Sequence, residues 1–318
     1  MKRQSVLKGI GLTAAAAMVG IGLAGCAIDS QGGSTEEGTV TIGTLRGQPH
    51  LYQPYFYDQF APDGTEIDIV LFDSSPDIKN AIVSGSIDFG IAGIPSAVSG
   101  ISQGEEIKVV ASAADGGSNL VGGEEIETLD DLVGANVGYP QGSSQEILLR
   151  LTLAEAGVDI DEVNLINLPF SDMATAFEGG SIDAFLSAEL GPSTALQNGA
   201  HIIASPYETE VGRVNLGLIT TTELIESDPE LVQSVVDMHT ESIDYMLENT
   251  EEWSDGLVET FGLEKDIVDT AIENIWLRYD ISDEYLTQVD ALTAQMELLT
   301  TIEEAPSTDD IFDTQFLE

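Results

Sequence analysis

Cysteine occurs once in the 318 residues, at Cys26. No intramolecular disulfide can form and the paired cysteines of zinc and iron sites are missing, so stability has to come from packing. Basic side chains are nearly as scarce: 10 Lys and Arg stand against 56 Asp and Glu, a formal charge of -46. That balance excludes nucleic acid as a natural partner and makes an anionic membrane surface a poor electrostatic target. Histidine occurs only at His50, His201 and His239, and no G-x-S-x-G or H-E-x-x-H spacing is present. A hydrolase or metalloenzyme is therefore not expected, nor any cofactor or metal.

What is present is a globular composition, 42% hydrophobic, in a chain long enough for two compact lobes. The acidity is dispersed. No acidic run exceeds two residues, as at Glu36-Glu37, Asp130-Asp131 and Glu303-Glu304, whereas acidic tails carry blocks of like charge. A dispersed acidic surface repels itself in dilute buffer and is screened within about 3 Å at 1 M salt, so a halophilic source is expected. The expected result is loss of the fold at very low salt, followed by circular dichroism; an unchanged spectrum there would contradict it.

The first 26 residues read as an address. Lys2, Arg3 and Lys8 form a basic start, followed by an apolar stretch from Ile10 to Leu23 that is too short to span a bilayer comfortably. It ends in Leu23-Ala24-Gly25-Cys26, which resembles the lipobox of prokaryotic lipoproteins, with Cys26 as the lipidated residue. Lys2-Arg3 with Val6-Leu7-Lys8 is an imperfect twin-arginine pattern, so the general secretory and twin-arginine routes both stay open. Gly20-Ile21-Gly22-Leu23-Ala24-Gly25 has the spacing of a dinucleotide-binding loop but follows no strand and lies in the removed peptide. Residues 27–38, rich in Gly, Ser and Thr, read as a flexible tether.

From Thr39 the chain alternates β-rich runs with amphipathic stretches. Strands are expected at 39–44, 66–72, 87–92 and 107–113, with helices at about 50–60, 75–84 and 94–102. A second set follows, with strands near 135–139, 162–167, 182–186 and 200–204 and helices near 143–156, 171–179 and 190–198. Such alternation argues for α/β architecture with mostly parallel sheets flanked by helices. The two sets share an echo: Ala81-Ile82-Val83-Ser84-Gly85-Ser86-Ile87-Asp88-Phe89 against Ala176-Phe177-Glu178-Gly179-Gly180-Ser181-Ile182-Asp183-Ala184. Each reads as helix, glycine stop, then strand. After about residue 222 the pattern is helical to the end, with Ser227-Asp228-Pro229-Glu230 as a helix start.

The stretch from Ala81 through Gly85-Ser86-Ile87-Asp88-Phe89-Gly90 to Ile94-Pro95 resembles the first-lobe pattern of solute-binding proteins of the sulfonate, taurine, nitrate and thiamine-precursor type. Leu129-Asp130-Asp131-Leu132-Val133-Gly134 running into Val137-Gly138 resembles their entry to the second lobe. Gly142-Ser143-Ser144, Ala156-Gly157-Val158 and Gly180-Ser181-Ile182-Asp183-Ala184 continue the match, which covers roughly residues 39–220. The resemblance implies a two-lobed periplasmic-binding-protein type II fold, lobe one being 39–114 plus 216–318 and lobe two 115–215, closing like a hinge. It further implies a monomeric, non-enzymatic binding component of an ABC importer that hands a small anionic or zwitterionic solute to a membrane permease. A thiamine-precursor pyrimidine and a surface scaffold without a transported ligand are the alternatives. Relatives that make a thiamine pyrimidine use a cysteine-rich iron site, which this chain lacks.

Ligands of open α/β sheets bind outside the carboxyl ends of the strands, and between domains. The loops so placed carry Arg46, Gln48 and His50; Pro95 and Ser96; Gly142, Ser143 and Ser144; and Glu189. Ser143 and Ser144 suit a helix cap, and the amides beside them suit an anion; both roles are compatible. Ser96 supplies a similar helix start in lobe one. Of the seven basic residues after Cys26, Arg46 alone is expected to face the cleft, where its guanidinium could pair with an oxyanion. Glu189 occupies the place of the acid in the family's aromatic-acid pair, with Ala188 in place of the ring. It reads equally as a partner for an ammonium group or as one more surface carboxylate.

Overall fold

The computed structural model of the chain describes residues 38–317. The signal peptide, Cys26 and all of the tether except Gly38 lie outside the described residues. The first run of elements is β1 (Thr39–Leu45), β2 (Glu66–Phe72), α1 (Ser75–Val83), β3 (Phe89–Gly93), α2 (Ile94–Ser102) and β4 (Ile107–Gly116). The second is β5 (Ser118–Gly122), β6 (Asn136–Tyr139), α3 (Ser144–Ala156), β7 (Asn164–Asn167), α4 (Met173–Glu178), β8 (Ala184–Ala188), α5 (Gly191–Gln197) and β9 (His201–Ala204). β10 (Leu216–Thr221) is followed by α6 (Thr222–Ser227), α7 (Pro229–Glu248), α8 (Thr250–Phe261), α9 (Lys265–Ile272), β11 (Ile275–Leu277), α10 (Asp283–Leu298) and α11 (Thr308–Ile311).

The strands form two sheets, in the orders β11-β4-β10-β3-β1-β2 and β7-β6-β8-β5-β9. Both are mixed, where mostly parallel sheets were expected. β1 pairs in parallel with β2 and β3, and β6 with β7 and β8, but β10 runs antiparallel to β3 and β4, and β5 antiparallel to β8 and β9. β11 also runs antiparallel to β4, and β5 and β10 are the strands that receive the chain as it passes from one sheet to the other. They arrive without the helical crossover that parallel pairing requires.

The sequence echo is a structural repeat. Gly85 and Gly180 both have left-handed backbones, with φ of +69° and +67°. Ile87 and Ile182 are both buried. The aspartate that follows does the same thing in each half: Asp88 accepts from the Thr41 backbone N–H at 2.8 Å, and Asp183 from the Asn136 backbone N–H at 2.8 Å. Each carboxylate thus satisfies a backbone donor in the neighbouring parallel strand.

The helix expected over 50–60 is instead two short 3-10 turns, Pro49–Leu51 and Gln53–Gln59. Pro49 and Pro54 lack amide hydrogens and each permits helix only as a fresh start. The expected start at Asp228 is present: its carboxylate accepts from the Leu231 backbone N–H at 3.0 Å, with Pro229 in the first turn. Helices α7 to α10 pack back on the first sheet, where Val235, Met246, Trp253, Leu257, Val268 and Leu292 join one core with Ile42, Phe89 and Val110. The second sheet has smaller cores on its two faces, one with Leu148, Leu149 and Leu153 of α3 and one with Met173 and Ala195. Ile147 and Leu151, on the remaining stripe of α3, join the first core. Apolar contact therefore continues from one sheet's layer to the other's.

Candidate functional site

Three helices begin at the carboxyl ends of strands and aim their first turns at one crevice. On α1, Ser74 is the cap, accepting from the Asp77 backbone N–H at 3.3 Å, and Ser75 Oγ accepts from the Gly93 backbone N–H at 3.0 Å. On α2, Gly93 is the cap and Pro95 lies in the first turn. On α3, Ser143 is the cap: its Oγ accepts from the Glu146 backbone N–H at 3.4 Å and donates to the Pro140 carbonyl at 2.5 Å. Pro76 and Pro95 have no amide to offer, the caps take the Asp77 and Glu146 amides and the Asn215 carbonyl takes that of Ile94, so the other first-turn amides, with the helix dipole, are what these ends offer to negative charge.

The two sides touch directly. Ser96 Oγ donates to the Gly142 carbonyl at 2.8 Å, and Ser144 Oγ to the Asn215 carbonyl at 3.2 Å. Gly142, at φ +74°, is so close to α1 that a Cβ there would lie 2.9 Å from Pro76 Cγ. This contact divides the crevice into two arms. One, of about 330 Å³, is lined among others by Lys79, Pro95, Ser96, Ser143, Ile147 and Met296. The other, of about 450 Å³, is lined among others by Ser74, Ser75, Gln141, Ser143, Asn167 and Phe170.

Of the residues proposed from sequence, Pro95, Ser96, Gly142 and Ser143 line the crevice, and Ser144 is buried one residue behind. Ser96 is not a helix start; it sits three residues beyond the cap at Gly93 and bridges to the facing loop. Gln48 and His50 are 6% and 2% exposed in the turn after β1 and line neither arm. Gln48 Oε1 and His50 Nδ1 have no hydrogen-bond partner among the described residues. Burial pushes the His50 pKa down to about 3, so its ring is neutral. It lies at the passage between sheets, where a Cβ on Gly117 would be 3.4 Å from Nδ1.

Two expectations are corrected. Arg46 lines neither arm: its amide extends the β1–β2 ladder onto the Phe72 carbonyl, and its side chain, 55% exposed, lies 3.6 Å from Asp73. Glu189 is neither a surface group nor open to a ligand. It is 1% exposed, and its oxygens accept from Asn119 Nδ2 at 3.1 Å, Asn274 Nδ2 at 3.2 Å, Ser193 Oγ at 2.7 Å and the Ser193 backbone N–H at 3.1 Å. Burial raises its pKa, against the lowering effect of these donors. The carboxylate joins β5, α5 and the turn before β11. Ser74, Ser75 and Pro76 were missed, although they follow β2 as Gly142-Ser143-Ser144 follows β6, and the same strand-end rule would have found them.

A protein-family model described as NMT1/THI5 like matches residues 57–253. The chain is similar to a putative binding protein of Brucella abortus, 26% identical over 225 residues, 66% of this chain and 67% of that one. It is also similar to a putative aliphatic sulfonates-binding protein of Bacillus subtilis, 23% identical over 312 residues, 93% of this chain and 92% of that one. Among solved structures it resembles the alkanesulfonate-binding protein SsuA from Xanthomonas axonopodis pv. citri bound to MOPS. The TM-score is 0.77 at 18% identity, covering 88% of this chain and 99% of that one. That likeness shows the fold, a two-sheet periplasmic-binding-protein architecture.

Proposed function

Since the chain belongs to the NMT1/THI5-like family, we propose that it is the extracytoplasmic solute-binding component of an ABC importer, taking a small anionic or zwitterionic solute between two lobes. The lobes are residues 39–114 with 216–318, and residues 115–215. The observation that carries this reading is the convergence of the α1, α2 and α3 first turns, from two different sheets, on one crevice. Backbone amides there supply the positive potential for an anionic head, which is why a chain with so few basic residues can take one. The name of the Bacillus subtilis relative points to a sulfonate.

The chemistry is capture and release, with no bond made or broken. Closing the lobes brings first-turn amides from both sides onto the same group, while the Ser96 hydroxyl joins the two sides by its bond to the Gly142 carbonyl. Cys26 carries the lipid, the tether sets the body off an outer cell surface kept stable by salt, and the monomer delivers its solute to the permease. The second reading is a thiamine-precursor pyrimidine, supported by the likeness to a formylaminopyrimidine-binding protein of Halalkalibacterium halodurans, 25% identical over 209 residues.

A thermal-shift screen of residues 27–318 in molar salt tests this. A sulfonate, nitrate or taurine at a hundred times its dissociation constant is expected to stabilise the protein by about 2.7 kcal/mol. Stabilisation by aminopyrimidines alone would select the second reading. No shift with any of these compounds would reject both ligand classes, and no shift in a broader screen would reject solute capture in favour of a surface scaffold.

A further inference from the structure

The smaller arm of the crevice differs in kind from the helix ends beside it. Its two fully charged lining groups are already neutralised by the protein: Lys79 Nζ lies 2.7 Å from Glu105, and Glu146 lies 2.9 Å from Arg150 while accepting from the Gly142 backbone N–H. Neither ion pair offers net charge to a ligand. The remaining surface is furnished by Pro76, Pro95, Ile147 and Met296, with Asn80, Ser99 and Thr301 adding neutral polar groups. Its volume of about 330 Å³ equals roughly eleven waters at about 30 Å³ each, far more than an inorganic oxyanion fills. Ser96, Gly142 and Ser143, at the edge of the anion-favouring crevice, also line this arm.

We infer that this arm is the subsite for the uncharged organic substituent of the solute, and that Met296 of α10 sets the length of substituent it accepts. The inference rests on the solute-capture reading above and adds that the solute is an organic anion with an extended tail. Met296 is 2% exposed, belongs to the first sheet's core and closes the arm from a helix remote in sequence from every other lining group except Thr301. A thioether there is a flexible apolar wall, suited to tails that differ by a methylene or two.

The test is calorimetric titration of linear alkanesulfonates, from methanesulfonate to octanesulfonate, into residues 27–318 in molar salt. Affinity is expected to tighten by up to about fourfold per methylene until the arm is full. Met296→Trp, which narrows the arm from the core, and Ser99→Phe, which narrows it from the rim without touching the core, are each expected to cost octanesulfonate at least tenfold. Methanesulfonate should stay within about twofold. Should Met296→Trp fail to fold, Ser99→Phe decides the location of the tail. An affinity independent of chain length, or a chain-length dependence that both variants leave intact, overturns the tail subsite while solute capture stands. Absence of binding by every sulfonate overturns anion capture, and the subsite with it.

Discussion

Gly142→Val is expected to lower solute affinity by about a hundredfold or more while leaving both sheets folded. Two effects combine at this position. The backbone is left-handed, at φ +74°, where a β-branched residue is strained by more than the roughly 1–2 kcal/mol typical of ordinary side chains. The new Cβ would also stand 2.9 Å from Pro76 Cγ, closer than such atoms approach, and the γ carbons would add to the clash. Pro76 belongs to α1 and Gly142 to the loop before α3, so parting the lobes relieves the second effect and closing them restores it. The substitution therefore biases the protein against its binding arrangement, and about 2.7 kcal/mol of bias suffices for a hundredfold. Gly157→Val is the control. Gly157 shares the strained backbone, at φ +76°, but a Cβ there meets nothing within 4 Å. Titration calorimetry should find that variant destabilised yet close to wild type in affinity. Equal affinity losses for the two variants would refute the lobe contact as the cause.

Arg278→Ala is expected to cost about 3–5 kcal/mol of stability, or roughly 10 °C in melting temperature. Arg278 sits 2.7 Å from both Asp115 and Asp280 and stacks 4.5 Å from the Tyr285 ring centre. Asp115 is 7% exposed at the end of β4, and even with Arg278 beside it burial pushes its pKa up to about 6. Deleting the guanidinium leaves that charge buried without compensation. The pH dependence has a definite sign. Asp115 holds its proton more tightly folded than unfolded, so its contribution is most favourable below about pH 4 and is lost as pH rises through 6, a span of roughly 3 kcal/mol. The deficit of Arg278→Ala should therefore shrink on acidification from pH 7 to 4.5, and Asp115→Asn should melt above wild type at pH 7 but level with it at pH 4. Scanning calorimetry in molar salt would refute this account if the deficit were constant with pH.

Most strands and helices were legible because their patterns are local. β1 and β2 are β-rich runs of seven residues each, and α1 and α2 start and stop at residues that cap or break helices. The repeat around Asp88 and Asp183 was visible as an echo, but the pairing of each carboxylate with a strand amide 47 residues earlier was not. β5, β10 and β11 were harder still, since Ser118–Gly122 and Ile275–Leu277 owe their extended form to partners distant in sequence. Of the site, the helix-end residues Pro95, Ser96, Gly142 and Ser143 followed from strand-end logic. Arg46 and Glu189 were misplaced for one reason: an isolated charge in a loop invites a ligand role, and only the fold reveals that Asp73, Asn119, Asn274 and Ser193 already occupy it. Met296 carries no sequence signal, because α10 reaches the crevice only through the tertiary packing of α2 against it.

The strand order has a kinetic consequence. β4 ends at Gly116 and is flanked in its sheet by β10 and β11, the first of which begins at Leu216, 100 residues later. At typical synthesis rates of about 5–20 residues per second, β4 waits roughly 5–20 s for the first of these neighbours to exist, and longer for β11. The five strands of the other sheet lie within 118–204 and face no such wait. A nascent chain thus has one sheet free to form early and one that stays incomplete until its last third emerges, which prolongs the interval in which the edges of its first strands stand unpaired.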